Sequence, residues 1–128
     1  MTAPPSTLRE YDVAARTTDV FGRVLCQART HHFVVDGPVQ NGCPGEELTP
    51  PEVFLSAVAS CGVELVQVIA RDTKVHIGPV SVAIHGIVDR SRQARTDVTL
   101  FNTITVDFTV HGTDSASAAA LVEGFKRR

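Results

Sequence analysis

The segment from Leu48 to Asp72, LTPPEVFLSAVASCGVELVQVIARD, constrains the fold more than any other part of the chain. The start of this segment predicts a capping box formed by Thr49 and by Glu52 three positions later, with Pro50 at the first helical position. The helix that follows is apolar on almost every side, and such a helix is buried all round. Because 128 residues offer little material to surround it, we expect a second subunit to supply the missing cover.

Two residues near the middle of this helix can carry chemistry or charge. Cys61 and Glu64 lie one turn apart, on a segment that is otherwise nearly apolar. A membrane span also needs about 20 apolar residues, but a central glutamate and the lack of basic or aromatic flanks argue against one. We therefore expect a soluble protein without a membrane partner.

The remaining residues predict an α+β domain with antiparallel strands in the order β-β-β-α-β-β-α, in which the strands enclose the long helix. Short apolar runs predict three strands followed by a loop rich in glycine and proline, and alternating apolar residues predict two more strands. The last helix has Thr113 or Ser115 as its cap. With 43% hydrophobic residues, we expect a single domain over residues 1–128. The predicted strands cover residues 11–16, 20–28, 31–36, 75–89 and 103–112. The first loop covers residues 36–48. Residues 90–102 either extend the second hairpin or cross as a loop.

Composition argues against several kinds of partner. A formal net charge of -2, with no basic cluster longer than the terminal KRR, gives no positive field for nucleic acid. The N-terminus does not have the pattern of a secretory signal, so we expect a cytoplasmic location. The five histidines lack metal-ligand spacing, so no metal is expected. Cys26, Cys43 and Cys61 lack paired spacing, which predicts at least one free thiol.

Residues 29–71 resemble the family of osmotically inducible protein C and organic hydroperoxide resistance proteins (OsmC/Ohr), in its general OsmC-like branch. The shared features are a strand with arginine then histidine, a D-x-P turn, a glycine loop, and a helix in which proline, glutamate, apolar and small residues precede a cysteine. They stand here as RTHHFVVDGPVQNGCPGEELTPPEVFLSAVASCGVELVQVIAR. The resemblance implies an intertwined homodimer, in which two long central helices pack together and are wrapped by the strands of both chains.

The resemblance also implies a function, that of a thiol peroxidase reducing small organic hydroperoxides. Cys61 occupies the position of the family's reactive cysteine, an external thiol or dithiol is the implied reductant, and no cofactor is needed. In the family an arginine from the N-terminal sheet and a glutamate stabilise the thiolate, which makes Arg23, Arg29 and Glu52 the other candidate catalytic residues. Two alternatives stay open: a non-catalytic dimeric binding protein, and a one-cysteine thiol sensor or carrier.

The glutamate departs from the peroxidase pattern. The peroxidase branch carries it one residue earlier, where this chain has Pro51. Nine helical residues also place Glu52 on the face opposite Cys61, about 13 Å away along the helix axis. Capping is therefore its favoured role, and Glu46 or Glu47 could take its place.

A second departure concerns the partner cysteine. In the family it follows the last helix, where this chain ends at Arg128. Either the natural chain is longer, or Cys43 or Cys26 resolves an oxidised Cys61. Glu64 is a further difficulty, because a neighbouring carboxylate disfavours a thiolate unless an arginine pairs with it.

Overall fold

A computed structural model of the chain describes residues 7–128. Its elements follow the predicted order of three strands, a long helix, two strands and a helix, so the predicted α+β class is confirmed. They are β1 (Ala14–Thr17), β2 (Arg23–Ala28), β3 (His31–Asp36), α1 (Pro50–Asp72), β4 (Val80–Ile87), β5 (Thr103–Val110) and α2 (Ser115–Lys126), with a short 3₁₀ helix, Val39–Asn41, in the loop before α1.

The described chain divides into two compact units. One ends at Glu52, and the other spans Val53–Arg128. Helix α1 runs across the division, so a single domain over residues 1–128 stays a prediction.

The first unit contains an antiparallel sheet in the order β1-β2-β3. Strand β3 has its predicted bounds, whereas β2 begins at Arg23 and not at residue 20. The delay has a local cause, because the Thr18 hydroxyl oxygen accepts a hydrogen bond from the Val20 backbone N–H and Gly22 adopts a left-handed conformation. These contacts form a turn from residues that sequence alone assigned to a strand.

In the second unit, α1 packs against the β4–β5 hairpin. Strand β4 alternates between partly buried and exposed residues, as predicted for a strand with one covered face. At Gly62, a side-chain Cβ would lie 3.1 Å from the Phe108 ring, so glycine permits the close approach of α1 to the sheet. The buried core of this unit consists of Val66, Ile69, Ala70 and Leu121.

Within one chain, α1 is buried on one face only, so burial on every side would require the second subunit and stays a prediction. Its buried residues are Gly62, Val66, Ile69 and Ala70, all on the side that faces β4, β5 and α2. On the opposite side of the helix, Ala57, Cys61 and Glu64 are exposed. By length and composition, α1 is the one helix among residues 7–128 that could cross a membrane, and 22% of its most apolar window is buried within the chain.

The two helix starts differ in how well they were predicted. At α1, the Glu52 carboxylate accepts hydrogen bonds from the Thr49 backbone N–H at 3.0 Å and the Thr49 hydroxyl at 2.7 Å, as a capping box requires of its glutamate. At α2, the cap is Asp114, whose carboxylate accepts the Ser117 N–H at 2.7 Å. The prediction of Thr113 or Ser115 was wrong because neighbouring residues of similar capping propensity compete for that position.

Replacing Leu121 by alanine tests the core of the second unit. Leu121 is 3% exposed and contacts the α1 core residues. We expect Leu121→Ala to lower the free energy of unfolding by about 2–5 kcal/mol, measured by urea denaturation, because it leaves a cavity. Lys126→Ala, at an exposed position of the same helix, serves as the control, and equal effects of the two substitutions would contradict this core assignment.

Candidate active site

Cys61 lies in the middle of α1, and its side chain is exposed in the single chain. Its neighbour Gly62 is buried against the sheet. The contrast follows from helix geometry, since successive residues point about 100° apart. The thiol is thus on the side of α1 that its own unit leaves uncovered.

The residues around Cys61 on this side are small or acidic. Ala57 lies one turn before the thiol and Glu64 one turn after it, and both are exposed. Small side chains allow a close approach of another surface to the helix at this point, whereas Glu64 puts a carboxylate beside it. No cation accompanies them at positions 57–64.

Arg23 is engaged by a buried carboxylate in the first unit. Its Nε and Nη2 donate to the two Asp36 carboxylate oxygens at 2.8 and 2.9 Å, in a bidentate pair. The Glu46 carboxylate lies 3.7 Å from the same guanidinium. Bidentate geometry is the strongest form of this ion pair, so the charge of Arg23 is already balanced.

Asp36 holds more than Arg23. Its Oδ2 also accepts the backbone N–H groups of Glu46 and Glu47 at 3.0 and 2.9 Å, and its side chain is fully buried. The hydrogen bonds from Arg23, followed by those from the two backbone groups, hold the pKa of Asp36 well below its ordinary range. We call this arrangement of Arg23, Asp36, Glu46 and Glu47 the carboxylate clasp.

Sequence reasoning missed the role of Asp36, although it noted the D-x-P turn in which this residue stands. The clasp closes the loop that precedes α1, because Asp36 also donates its backbone N–H to the Leu48 carbonyl at 2.9 Å. The signal in the sequence was an aspartate at the end of an apolar strand, next to Gly37 and Pro38. Only the strand register shows that this aspartate lies opposite Arg23.

Arg29 has a different environment from Arg23. It lies in the two-residue connection between β2 and β3, where it adopts a left-handed conformation with φ of 55°, which is uncommon for a residue other than glycine. Its carbonyl accepts a hydrogen bond from the Gln27 side chain, while its exposed guanidinium has no carboxylate partner in the part of the chain described. Of the two candidate arginines, Arg29 is therefore the one with an unpaired charge.

Glu52 is committed to the start of α1. The hydrogen bond from the Thr49 backbone N–H, together with that from its hydroxyl, lowers the pKa of the Glu52 carboxyl. These two contacts support the capping role that sequence reasoning favoured. Catalytic roles for Cys61, Arg23, Arg29 and Glu52 stay predictions.

The other two cysteines are packed within the first unit. Cys26 is buried in β2. The sulfur of Cys43 lies so close to Gly22 and Gly37 that a Cβ on either glycine would overlap it. Cys43 therefore fills a space that the two glycines leave open. All three cysteines are free thiols.

The described residues contain no group of three or more His, Cys, Asp and Glu side chains arranged to hold a metal ion.

These features together define a class of protein: an α+β fold with an N-terminal antiparallel sheet, a second hairpin, and a long helix that carries an exposed thiol at its centre. The family model described as OsmC-like protein matches residues 43–128, which is more than half of the chain. The chain belongs to the OsmC-like family. In this soluble fold α1 is a core helix and not a membrane span.

Solved structures share this fold at low sequence identity. They include an OsmC-like protein from Mycoplasma pneumoniae (TM-score 0.78, 15% identity, 94% of this chain and 82% of that one). An organic hydroperoxide resistance protein OsmC from Legionella pneumophila has a TM-score of 0.74 and 17% identity, and the match covers 95% of this chain and 85% of that one. An organic hydroperoxide resistance protein from Elizabethkingia anophelis, with thiocyanate bound, has a TM-score of 0.76 and 14% identity, and the match covers 96% of this chain and 85% of that one. At these identities the likeness establishes the fold alone. No curated protein shows significant sequence similarity to the chain.

The carboxylate clasp predicts a stability that depends on pH. Because the pKa of Asp36 lies below its ordinary value of 3.8, the clasp stabilises the folded chain above about pH 4, and the contribution is lost as the pH falls toward the lower folded pKa. We expect Asp36→Asn to lower Tm at pH 7 by about 5 °C or more. The difference from the wild type should narrow between pH 4 and pH 3, as thermal melts followed by circular dichroism would detect.

Asp107→Asn is the matched control, because Asp107 is an exposed carboxylate on β5. Its Tm should stay close to that of the wild type at every pH. A Tm difference for Asp36→Asn that is as large at pH 3 as at pH 7 would show that the charge of Asp36 is not the stabilising feature.

Proposed function

We propose that the protein is a thiol-dependent peroxidase that reduces small organic hydroperoxides, with Cys61 as the reacting group. The observation that carries the proposal is the exposed thiol at the centre of α1 in a chain of the OsmC-like family. Two proteins of the same fold are named as organic hydroperoxide resistance proteins, and their names support this substrate class.

The reaction proceeds in two steps. The Cys61 thiolate attacks the terminal oxygen of the hydroperoxide, the O–O bond breaks, and the released alkoxide takes a proton to leave as an alcohol. Cys61 is then a sulfenic acid. One molecule of an external thiol displaces water from it to form a mixed disulfide, and a second thiol releases the Cys61 thiol as the external disulfide forms. A dithiol supplies both equivalents within one molecule.

The thiolate needs a positive group close by. Cys61 lies too far from the start of α1 for the helix dipole to assist, because that effect fades within the first turn. Arg29 is the arginine we assign to this role, since its guanidinium is exposed and without a carboxylate partner among residues 7–128, whereas Arg23 is held by Asp36. Arg23 and Glu52 act as structural supports of the first unit and of the start of α1.

The reductant also determines where the reaction can run. Cys61, Cys43 and Cys26 are free thiols, and free thiols persist in a reducing compartment. We place the protein in the cytoplasm, with an external thiol or dithiol completing each turnover, because the packing of Cys43 between two glycines disfavours it as a resolving cysteine.

A homodimer completes this proposal. The uncovered side of α1, which carries Ala57, Cys61 and Glu64, is the surface that a second copy of the chain would cover. Its small residues suit the close packing of two helices, and the covered thiol would then react in a pocket formed by both chains.

A second candidate function follows from the contacts that Arg23 and Glu52 already make. Arg23 is balanced by Asp36 and Glu52 is bound to Thr49, so neither is free to assist a thiolate. A chain with only a weakly assisted Cys61 would serve as a one-cysteine thiol sensor or carrier, or as a non-catalytic binding protein of the same dimeric form.

Trapping the sulfenic acid separates these functions. After treatment with cumene hydroperoxide, a dione that reacts with sulfenic acids should label Cys61, as peptide mass spectrometry would show. With dithiothreitol present, the wild type should consume the hydroperoxide repeatedly, and Cys61→Ser should lower this rate by at least about a hundredfold. Labelling without turnover would favour the sensor, and an unlabelled Cys61 would exclude the peroxidase.

The matched controls are the two other cysteines and the two arginines. Cys26→Ser and Cys43→Ser should keep the label on Cys61. Arg29→Gln should slow the labelling by about tenfold, since it removes the charge assigned to the thiolate, while Arg23→Gln should mainly lower Tm. Equal labelling rates in the wild type and Arg29→Gln would contradict the role given to Arg29.

The oligomeric state is tested by one substitution on the uncovered side of α1. Light scattering after gel filtration should give a wild-type mass twice the 13.7 kDa of one chain. Ala57→Arg should reduce the mass to that of one chain, because a buried unpaired charge opposes association. Ala116→Arg, at an exposed position of α2, should leave the dimer intact. A wild type with the mass of one chain would exclude the homodimer.

A further inference from the structure

The connection between β4 and β5, residues 88–102, is a loop closed by its own hydrogen bonds. At its base, Asn102 donates its backbone N–H to the Ile87 carbonyl at 2.7 Å, and its side-chain oxygen accepts the Asp89 N–H at 2.6 Å. Inside the loop, the Gln93 side chain donates to the Leu100 carbonyl at 3.0 Å and accepts the Leu100 N–H at 2.6 Å. A connection of this length is usually functional when it is ordered.

The end of the loop is also anchored to α1. The ring of Phe101 stacks on that of Phe54 with 5.8 Å between the ring centroids. The stacking ties the C-terminal end of the loop to α1.

Residues of this loop line an open cavity of about 430 Å³ with a mostly polar lining, and every lining residue except Gln93 is exposed. The volume lies within the range of about 300–1,000 Å³ that small-molecule sites occupy. Its charged and hydroxyl groups belong to Arg90, Ser91, Arg95, Thr96, Asp97 and Thr99.

The charges of the lining do not balance. Arg95 donates to the Asp97 carboxylate in a bidentate pair, at 2.9 and 2.6 Å, which fixes the plane of its guanidinium. Arg90 has no carboxylate partner within residues 7–128, so the two arginines and one aspartate leave one net positive charge in the cavity. The Arg90 guanidinium and the hydroxyls of Thr96 and Thr99 match an anion that offers several oxygen acceptors.

We propose that this cavity binds the phosphate group of a small phosphate monoester, with Arg90 as the main charged contact. A phosphate presents more acceptor oxygens than a carboxylate does, and the lining supplies donors from Arg90, Thr96 and Thr99, whereas the Ser91 hydroxyl donates to the Asp89 carboxylate at 2.6 Å. The cavity has room for an organic group beside the phosphate. The site belongs to one loop and does not depend on the chemistry of Cys61.

Calorimetric titration with phenyl phosphate at constant ionic strength tests this site. We expect saturable binding with one site per chain, and Arg90→Gln should weaken it by about tenfold or more. Arg92→Gln removes the same charge from an exposed residue of the same loop that does not line the cavity. The affinity of this variant for phenyl phosphate should therefore match that of the wild type. Melting temperatures of both variants verify that they are folded.

Two further ligands identify the group that is recognised. If inorganic phosphate competes with phenyl phosphate, the site recognises the phosphate group. If inorganic phosphate binds more weakly than phenyl phosphate, the organic group contributes to the affinity. Benzoate binding as tightly as phenyl phosphate would contradict the assignment of a phosphate. Equal weakening by Arg90→Gln and Arg92→Gln, or no saturable binding by the wild type, would overturn the proposed site.

Discussion

The second unit depends on the packing of β4, β5 and α2 against one side of α1. Burying Val66, Ile69 and Ala70 with Leu121 supplies the core of this unit, and Gly62 allows the sheet to come close. The same packing leaves the other side of an almost wholly apolar helix without cover from its own unit. The exposed residues on that side include Ser56, Ser60, Glu64 and Gln67, so the polar residues of α1 lie where its own unit leaves it uncovered.

The first unit depends instead on an electrostatic arrangement. Asp36 is fully buried, which is unfavourable for a carboxylate unless other donors replace its hydration. Arg23 and the backbone of Glu46 and Glu47 supply those donors. The clasp thereby holds the loop that leads into α1, and it removes Arg23 from the set of freely available cations. One interaction thus determines both the local structure of this loop and the environment of Arg23.

The sequence predicted those elements whose signals are local. Helix α1 has its predicted start because Thr49, Pro50 and Glu52 lie at fixed offsets, and β3 has its predicted bounds because Gly37 and Pro38 follow it directly. The clasp could not be predicted, because Arg23 and Asp36 meet through strand register across 13 positions. The closed loop of residues 88–102 was left undecided for a similar reason, since the contacts of Gln93 and Asn102 have no short-range pattern.

The surroundings of Cys61 would change if another surface covered this side of α1. In the single chain, Glu64 and Cys61 are exposed to water, which solvates a carboxylate and a thiolate alike. A partner that covers this side removes that solvation, and a buried carboxylate is then stable only with a cation or several hydrogen-bond donors beside it. A covering surface that brings a guanidinium to Glu64 also brings it within one helical turn of Cys61. Such a guanidinium would be balanced by Glu64, as Arg23 is balanced by Asp36, so a thiolate at Cys61 would need a cation or hydrogen-bond donors beyond those that Glu64 requires.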